Sequence, residues 1–273
     1  MDVSDQHSGS QDAEAVWQQA GDAWGRAARD WAYLLEPYAR PANDAVFDAL
    51  GVGAGTSLLD IACGSGYAAS VAAARGADVS GLDASENLIA IAKARTPGDF
   101  RVGDMFALPF DDGSFDAVTS FNGIWKGDDA ALVEAARVVR PGGGVGITFW
   151  GPPKRLGLLP YFMTVASLSP PSHADATINQ GDTGRPGVAE AMFEAAGLVA
   201  EARGSVAVVN EWPDLDIAVR ALVAAGPSIP AIETVGEDDF ADALREALAP
   251  LEDPVLGLRV VSEFGWLTGR RPA

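Results

Sequence analysis

Apolar and polar positions follow two rhythms between Thr56 and Trp150. Five short apolar runs, Thr56–Ala62, Asp78–Asp83, Phe100–Asp104, Phe115–Phe121 and Val145–Trp150, have the length and flanking turn residues expected of buried strands. Segments with helical periodicity separate most of them. Tyr67–Arg75 is rich in alanine and closed by Gly76. Ser85 can cap a second helix, which carries Leu88, Ile89 and Ile91 and stops at Thr96-Pro97-Gly98. A third covers Asp128–Val139 and ends at Arg140-Pro141 and three glycines. Further strands are expected at Ser205–Trp212 and Leu258–Leu267, with helices at Gly187–Ala196, Leu215–Ala225 and Phe240–Ala249. Strands alternating with helices need right-handed crossovers, which lay the strands parallel. The pattern therefore predicts an α/β protein with a doubly wound, mostly parallel seven-stranded sheet.

The flanks of this alternation read differently. Residues 1–13 are Ser, Gly, Gln and Asp with little to bury, the composition of a disordered tail. From Ala13 to Leu50 the pattern is helical. Trp17, Trp24 and Trp31 recur every seven residues and share one face, until Pro37 and Pro41 interrupt it and a second helix covers Ala42–Leu50. After Trp150, residues 151–186 hold six prolines and one apolar stretch, too long for an ordinary connection. The expected organisation is one domain over residues 14–273 with a helical N-terminal segment and two helical, lid-like insertions, 151–186 and 213–256, on the ligand side.

Charge and composition narrow the partners. The chain has 273 residues, 48% of them hydrophobic, enough for one sizeable core. Its net charge of −19, from 38 acids against 19 bases, repels phosphate backbones and anionic lipid, so nucleic acid and membrane are not expected partners. Cys63 is the single cysteine, which excludes an intramolecular disulfide and a Cys-rich metal site. The polar, acidic start lacks the basic and apolar regions of a leader, and no apolar run approaches a membrane span, so a cytoplasmic location is expected.

The chemistry concentrates in Leu58-Leu-Asp-Ile-Ala-Cys-Gly-Ser-Gly-Tyr67. A strand ends in Asp60 and turns through Gly64 and Gly66 into a helix, where missing Cβ atoms let a ligand approach the backbone and helix N–H groups point outward. Asp83 ends the next strand on the same sheet edge. A carboxylate there can accept both hydroxyls of a ribose and repels a 2′-phosphate. Asp104 and Met105 follow the third strand, where a carboxylate can accept an adenine amino group and a thioether can cover the ring. Asn122 ends the fourth strand. Any one of these signals is weak, since Gly64–Ala69 also fits the dinucleotide pattern G-x-G-x-x-A; their joint spacing is specific.

LLDIACGSGYAA, GLDASENLIAIAKAR, FRVGDMFALPFDDGSFDAVTSF and RVVRPGGGVGITFW resemble the successive motifs of class I S-adenosylmethionine-dependent methyltransferases, closest to those of small-molecule type, strongly over residues 50–150. The resemblance implies S-adenosyl-L-methionine as cofactor and a small-molecule acceptor. It implies that Asp60 lies near the methionine amino group, that Ala62, Cys63, Gly64, Ser65 and Gly66 line the methionine moiety, that Asp83 holds the ribose, with Ala84 also at the cofactor, and that Asp104 and Met105 hold the adenine. Asn122 would offer backbone to the amino group. The sequence departs at Ala62, where the family often carries glycine.

The sulfonium makes the methyl electrophilic, so the protein's task is in-line positioning, with a general base needed only for a hydroxyl acceptor. His173, in the first insertion, could close over a substrate as that base or be a solvated loop residue; His7 lies in the tail. Trp24 and Trp31 either pack in the core or flank the sulfonium by cation–π attraction. Tyr33, Trp125, Phe149, Trp150 and Tyr161 are candidates for the acceptor pocket. Two other readings stand beside methyl transfer. One is an NAD-dependent oxidoreductase, although no tyrosine is followed four positions later by lysine. The other is a non-catalytic S-adenosylmethionine-binding protein.

Overall fold

A computed structural model describes residues 16–171 and 181–273. One sheet runs in the order β3-β2-β1-β4-β5-β8-β6, with a two-residue β7 added to β8. The strands are β1 Ser57–Ile61, β2 Asp78–Asp83, β3 Asp99–Val102, β4 Phe115–Phe121, β5 Val139–Trp150, β6 Val199–Trp212, β7 Glu252–Asp253 and β8 Gly257–Arg270. Strands β1 to β5 pair in parallel, and β8 lies antiparallel between β5 and β6. The chain builds outward from β1 through β2 to β3, then returns to lay β4 on the other side of β1. The tips of β1 and β4 therefore flank the point where strand order reverses, the crevice where open α/β sheets bind ligands.

Helices cover both faces. Arg40–Leu50 and Tyr67–Ala74 bury Val46, Phe47, Ala69 and Val71 against one face; Asp129–Val138 and Val188–Ala195 bury Leu132, Ala135 and Phe193 against Leu59, Ile147 and Phe149 on the other. The helix Glu86–Arg95 starts where expected, with the Ser85 hydroxyl accepting from the Leu88 N–H at 3.3 Å. The segments 151–186 and 213–256 share one core. Leu158, Tyr161 and Val165, in and beside the helix Leu159–Leu168, pack with Leu222, Phe240, Leu244 and Leu248 of the helices Leu215–Val223 and Glu237–Leu248. This cap rests on the extended β6–β8 ribbon. Among the described residues no single helix is long and apolar enough to cross a membrane.

The boundaries differ from expectation in three places. The N-terminal helix covers 16–25, breaks, resumes at Ala28–Asp30, widens to a π-helix over Trp31–Leu35 and tightens to a 3-10 turn over Glu36–Ala39. One cause is close packing. A Cβ on Gly21 would lie 2.2 Å from the Ala84 carbonyl oxygen, so the helix is pressed onto the chain just after β2. Second, β5 starts at Val139 instead of Val145. Arg140 to Gly143 form a bulge within the strand, since Phe115 pairs with Val139 but Ala117 with Gly144. Third, β6 starts six residues earlier than Ser205, and β8 extends to Arg270, because the two strands pair along almost their whole length. The helix Ile229–Val235, in a proline-punctuated segment, was not expected. The tail 1–13 lies outside the described residues.

Candidate functional site

Strand β1 ends under the helix Tyr67–Ala74, and the loop between them carries the charge chemistry. Two non-glycine residues have a left-handed backbone among those described, Ala62 and Asn122, both at φ 54°. They follow β1 and β4, at the reversal point. Holding a residue with a Cβ there costs roughly 1 kcal/mol or more and is characteristic of sites where backbone geometry serves a ligand. Gly64 has φ 55°, and a Cβ on it would lie 2.6 Å from Glu36 Oε1 and 3.5 Å from Trp31 Nε1. Only glycine lets those two side chains reach the loop.

Three carboxylates converge on this loop. The Gly64 N–H donates to Asp83 Oδ2 at 2.8 Å and the Ser85 N–H to Asp83 Oδ1 at 2.8 Å. The Ser65 N–H donates to Glu36 Oε1 at 3.0 Å, and the Ser65 hydroxyl also meets Glu36. Thr119 Oγ1 donates to Asp60 Oδ1 at 2.7 Å, across the β1–β4 pairing that sets these two residues side by side. Asp60 is 2% exposed and Asp83 8%. Burial drives the Asp60 carboxyl up to about 8, opposed by the Thr119 hydroxyl and reinforced by Glu36 and Asp83. Burial also raises Asp83, held down in part by its N–H donors, and raises Glu36 against its bonds to Ser65 and Arg95. The one cation in this cluster is Arg95. Its guanidinium pairs with Glu36 at 2.9 Å, donates to the carbonyls of Ser65 and Ala32, and lies over the rings of Tyr33 and Tyr67.

The expected residues sort by distance from this loop. Asp60, Ala62 to Gly66, Asp83, Ala84 and Trp31 are brought together around it, with Asn122 on the adjoining tip of β4. Asp104 is next along the edge, half-buried, its Oδ1 accepting from the Phe106 N–H at 2.9 Å, and Gly103 donates to the Asp83 carbonyl. Met105 packs against the core beside it. Trp24 meets Trp31 edge-on at 4.8 Å and lies against Gly226 of the cap. The burial of Cys63 raises its thiol well above the usual range, as do Asp83, Asp60 and Glu36, so it is held neutral.

Of the five proposed acceptor residues, Trp150 and Tyr161 come together, both against Phe162, and the other three lie apart. Tyr33 is 67% exposed and stacks on the outer side of Arg95. Phe149 and Trp150, adjacent in β5, face opposite sides of the sheet. Phe149 is buried in the core with Phe193, whereas Trp150 and Tyr161 join the cap. Trp125 is half-buried against the Phe149 side. His173 lies outside the described residues. Glu36, Arg95 and Thr119 escaped the sequence reading. Thr119 was recoverable from laying β1 beside β4, but Glu36 depends on the π and 3-10 turns that no periodicity announced.

Comparison with known proteins gives the loop its context. The family described as "Methyltransferase domain" matches residues 59–147. The demethylmenaquinone methyltransferase of Renibacterium salmoninarum is 44% identical over 101 residues, 36% of this chain and 43% of that protein. An uncharacterized protein of Mycobacterium tuberculosis is 34% identical over 158 residues, 54% of this chain and 58% of that one. The match thus spans about half the length of these curated relatives. In overall fold, a candidate methyltransferase of Bacillus halodurans superposes with a TM-score of 0.56 at 16% identity, covering 85% of this chain and all of the other. Residues 59–147 are thus similar to a methyltransferase domain, and the fold is one that solved methyltransferases share. Within the matched residues fall Asp60, the glycine loop, Asp83, Asp104, Thr119 and Asn122; Glu36 and the cap lie outside them.

Proposed function

We propose that the chain transfers a methyl group from S-adenosylmethionine to a small molecule. One observation carries this reading over a nicotinamide-dependent one. The Gly64 and Ser65 N–H groups, which would face a pyrophosphate, already donate to the carboxylates of Asp83 and Glu36. A phosphate would meet buried negative charge there, while a ligand with an ammonium and a sulfonium relieves it.

The residues present fit that ligand. The Trp31 indole N–H, the Asn122 side-chain oxygen and the Ser120 hydroxyl are buried without partners, and leaving such groups unpaired costs on the order of 1–3 kcal/mol each. Asp60, oriented by Thr119, would hold the ammonium. Asp83 keeps free lone pairs on both oxygens for the ribose hydroxyls, and Asp104 with Met105 would take the adenine. Bound there, the cofactor supplies an electrophilic methyl on a cationic sulfur. The chain's own contribution is alignment and exclusion of water: rigid strand tips fix the donor end, and the N-terminal helix with Trp31 covers it. The buried phenols of Tyr38 and Tyr161 are pushed above their ordinary range and stay protonated at neutral pH, so neither serves as a base.

Calorimetry with S-adenosylhomocysteine and with NAD tests the reading. Saturable heat is expected with the first and none with the second; the reverse would replace methyl transfer by redox chemistry.

A further inference from the structure

Three of the unpartnered buried polar atoms that the donor site does not use lie together in a second place, on the ribbon of β6 and β8. β6 and β8 run on past the end of β5. Phe264 pairs with both Trp150, the last residue of β5, and Val206, after which β6 continues to Trp212 opposite Leu258. Alternate residues of this ribbon, Val208, Asn210 and Trp212 on one strand and Val260, Ser262 and Phe264 on the other, are buried. Asn210 and Ser262 are diagonal neighbours on that face, because Val208 pairs with Ser262 and Asn210 with Val260. Each is 1% exposed. Neither the nitrogen nor the oxygen of the Asn210 amide has a partner, nor has the Ser262 hydroxyl.

Their surroundings are aromatic. Trp150 meets Phe264 edge-on at 4.5 Å and Phe162 at 5.0 Å, and Tyr38 meets Phe264 at 6.0 Å. The Asn210 amide lies beside the Tyr38 hydroxyl, whereas the Tyr161 hydroxyl is satisfied by Ser228 at 3.1 Å. This cluster adjoins the donor site on two sides. Tyr38 lies in the same 3-10 turn as Glu36, which grips the glycine loop. Thr148, two residues before Trp150 and so on its face of β5, accepts from the Asn122 N–H at 2.9 Å.

The unsatisfied groups define the occupant. An amide with both ends free needs a group that donates and accepts at once, which a hydroxyl does and a ketone or ether does not. Asn210, Ser262 and the aromatic wall carry no charge to offset a carboxylate or an ammonium. The edge-on rings favour a flat aromatic body. We propose that Asn210 and Ser262, walled by Tyr38, Trp150 and Phe264, form the acceptor subsite and take a neutral hydroxylated aromatic ring. Its standing as an acceptor site rests on the methyl-donor reading; its ligand chemistry does not.

Titration calorimetry of the full chain with 2-naphthol and with naphthalene tests this, using wild type, Asn210→Leu and Ser262→Ala, with S-adenosylhomocysteine titrated separately. Wild type is expected to bind 2-naphthol at least tenfold more tightly than naphthalene. Asn210→Leu should bring the two ligands within twofold, and Ser262→Ala should reduce the preference about threefold. Both variants should keep wild-type affinity for S-adenosylhomocysteine. The proposal is overturned if wild type does not saturate with 2-naphthol, if it shows no preference, or if the preference survives in both variants, in which case the amide holds only water. Loss of S-adenosylhomocysteine binding in wild type, with the naphthol preference intact, would instead remove the donor reading and leave the phenol site standing.

Discussion

The glycine loop and the cap solve opposite problems. At the loop, three buried carboxylates lie close together with one guanidinium paired to Glu36, backbone N–H groups, short side chains and Arg95 supply the hydrogen bonds, and the positions are fixed by strand tips that the sheet holds on both sides. The cap is assembled from two separate segments around an apolar core, and its buried polar groups carry no charge. Charge concentrated on a rigid edge suits a ligand whose cationic groups never change. A neutral, aromatic cap suits an uncharged ligand. The domain match of 59–147 covers the first region apart from Glu36 and stops before the second.

The difference can be broken at its strongest point in the cap. Phe240 is fully buried there, and Phe240→Ala should cost about 3–5 kcal/mol, lowering the melting temperature by on the order of 10 °C. S-adenosylhomocysteine affinity measured well below that melt should stay within about threefold of wild type. A larger loss would show that loop and cap act as one unit. At the loop, Asp83→Ala removes the acceptor of two N–H groups and should weaken S-adenosylhomocysteine by about 100-fold, roughly 2.7 kcal/mol, while leaving 2-naphthol binding as it was.

Asp60 gives a pH test with a fixed sign. Its folded pKa of about 8 lies above the unfolded value near 3.8, so the native state is destabilised progressively as pH rises from the lower value through the higher one. Asp60→Asn keeps the Thr119 hydrogen bond without the charge. Its melting temperature should exceed that of wild type by a margin that widens from pH 5 to pH 8. The same substitution should reduce S-adenosylhomocysteine affinity about tenfold at pH 8, since an ammonium has lost its counter-charge, on the order of 1.4 kcal/mol. Wild-type affinity should climb with pH until about 8 and the variant's should stay flat. A parallel climb in both would assign the titration to another group. The smallest effect is expected at Ala62, whose φ of 54° strains any side chain. Ala62→Gly should stabilise by less than about 1 kcal/mol, because relief of strain exceeds the added freedom of the unfolded chain only slightly. A fall in melting temperature would mean the methyl group is contributing contacts.

What the sequence disclosed follows from the same contrast. Asp60, Gly64, Gly66 and Asp83 were readable because each ends or follows a strand whose apolar run is visible, and strand ends in a parallel sheet share an edge. The position of β8 between β5 and β6, and the pairing of the two insertions into one core, depend on contacts between segments far apart in the chain. Glu36 was hidden because it reaches the loop through local departures from α-helical geometry, forced where Trp31 to Ala39 must bridge from the glycine loop to the cap. Phe149 misled because its neighbour Trp150 points the other way, and a strand end says nothing about which face holds a ligand.

The antiparallel slot filled by β8 also sets an order of events during synthesis. β5 and β6 are not neighbours until β8 separates them, and β8 is the last of the described strands to leave the ribosome. Until then both present open edges of long, unpaired backbone. A nascent chain stalled before Gly257 would hold a finished glycine loop beside two adhesive borders, so this protein's vulnerability to aggregation should peak before β8 emerges and fall once β8 is in place.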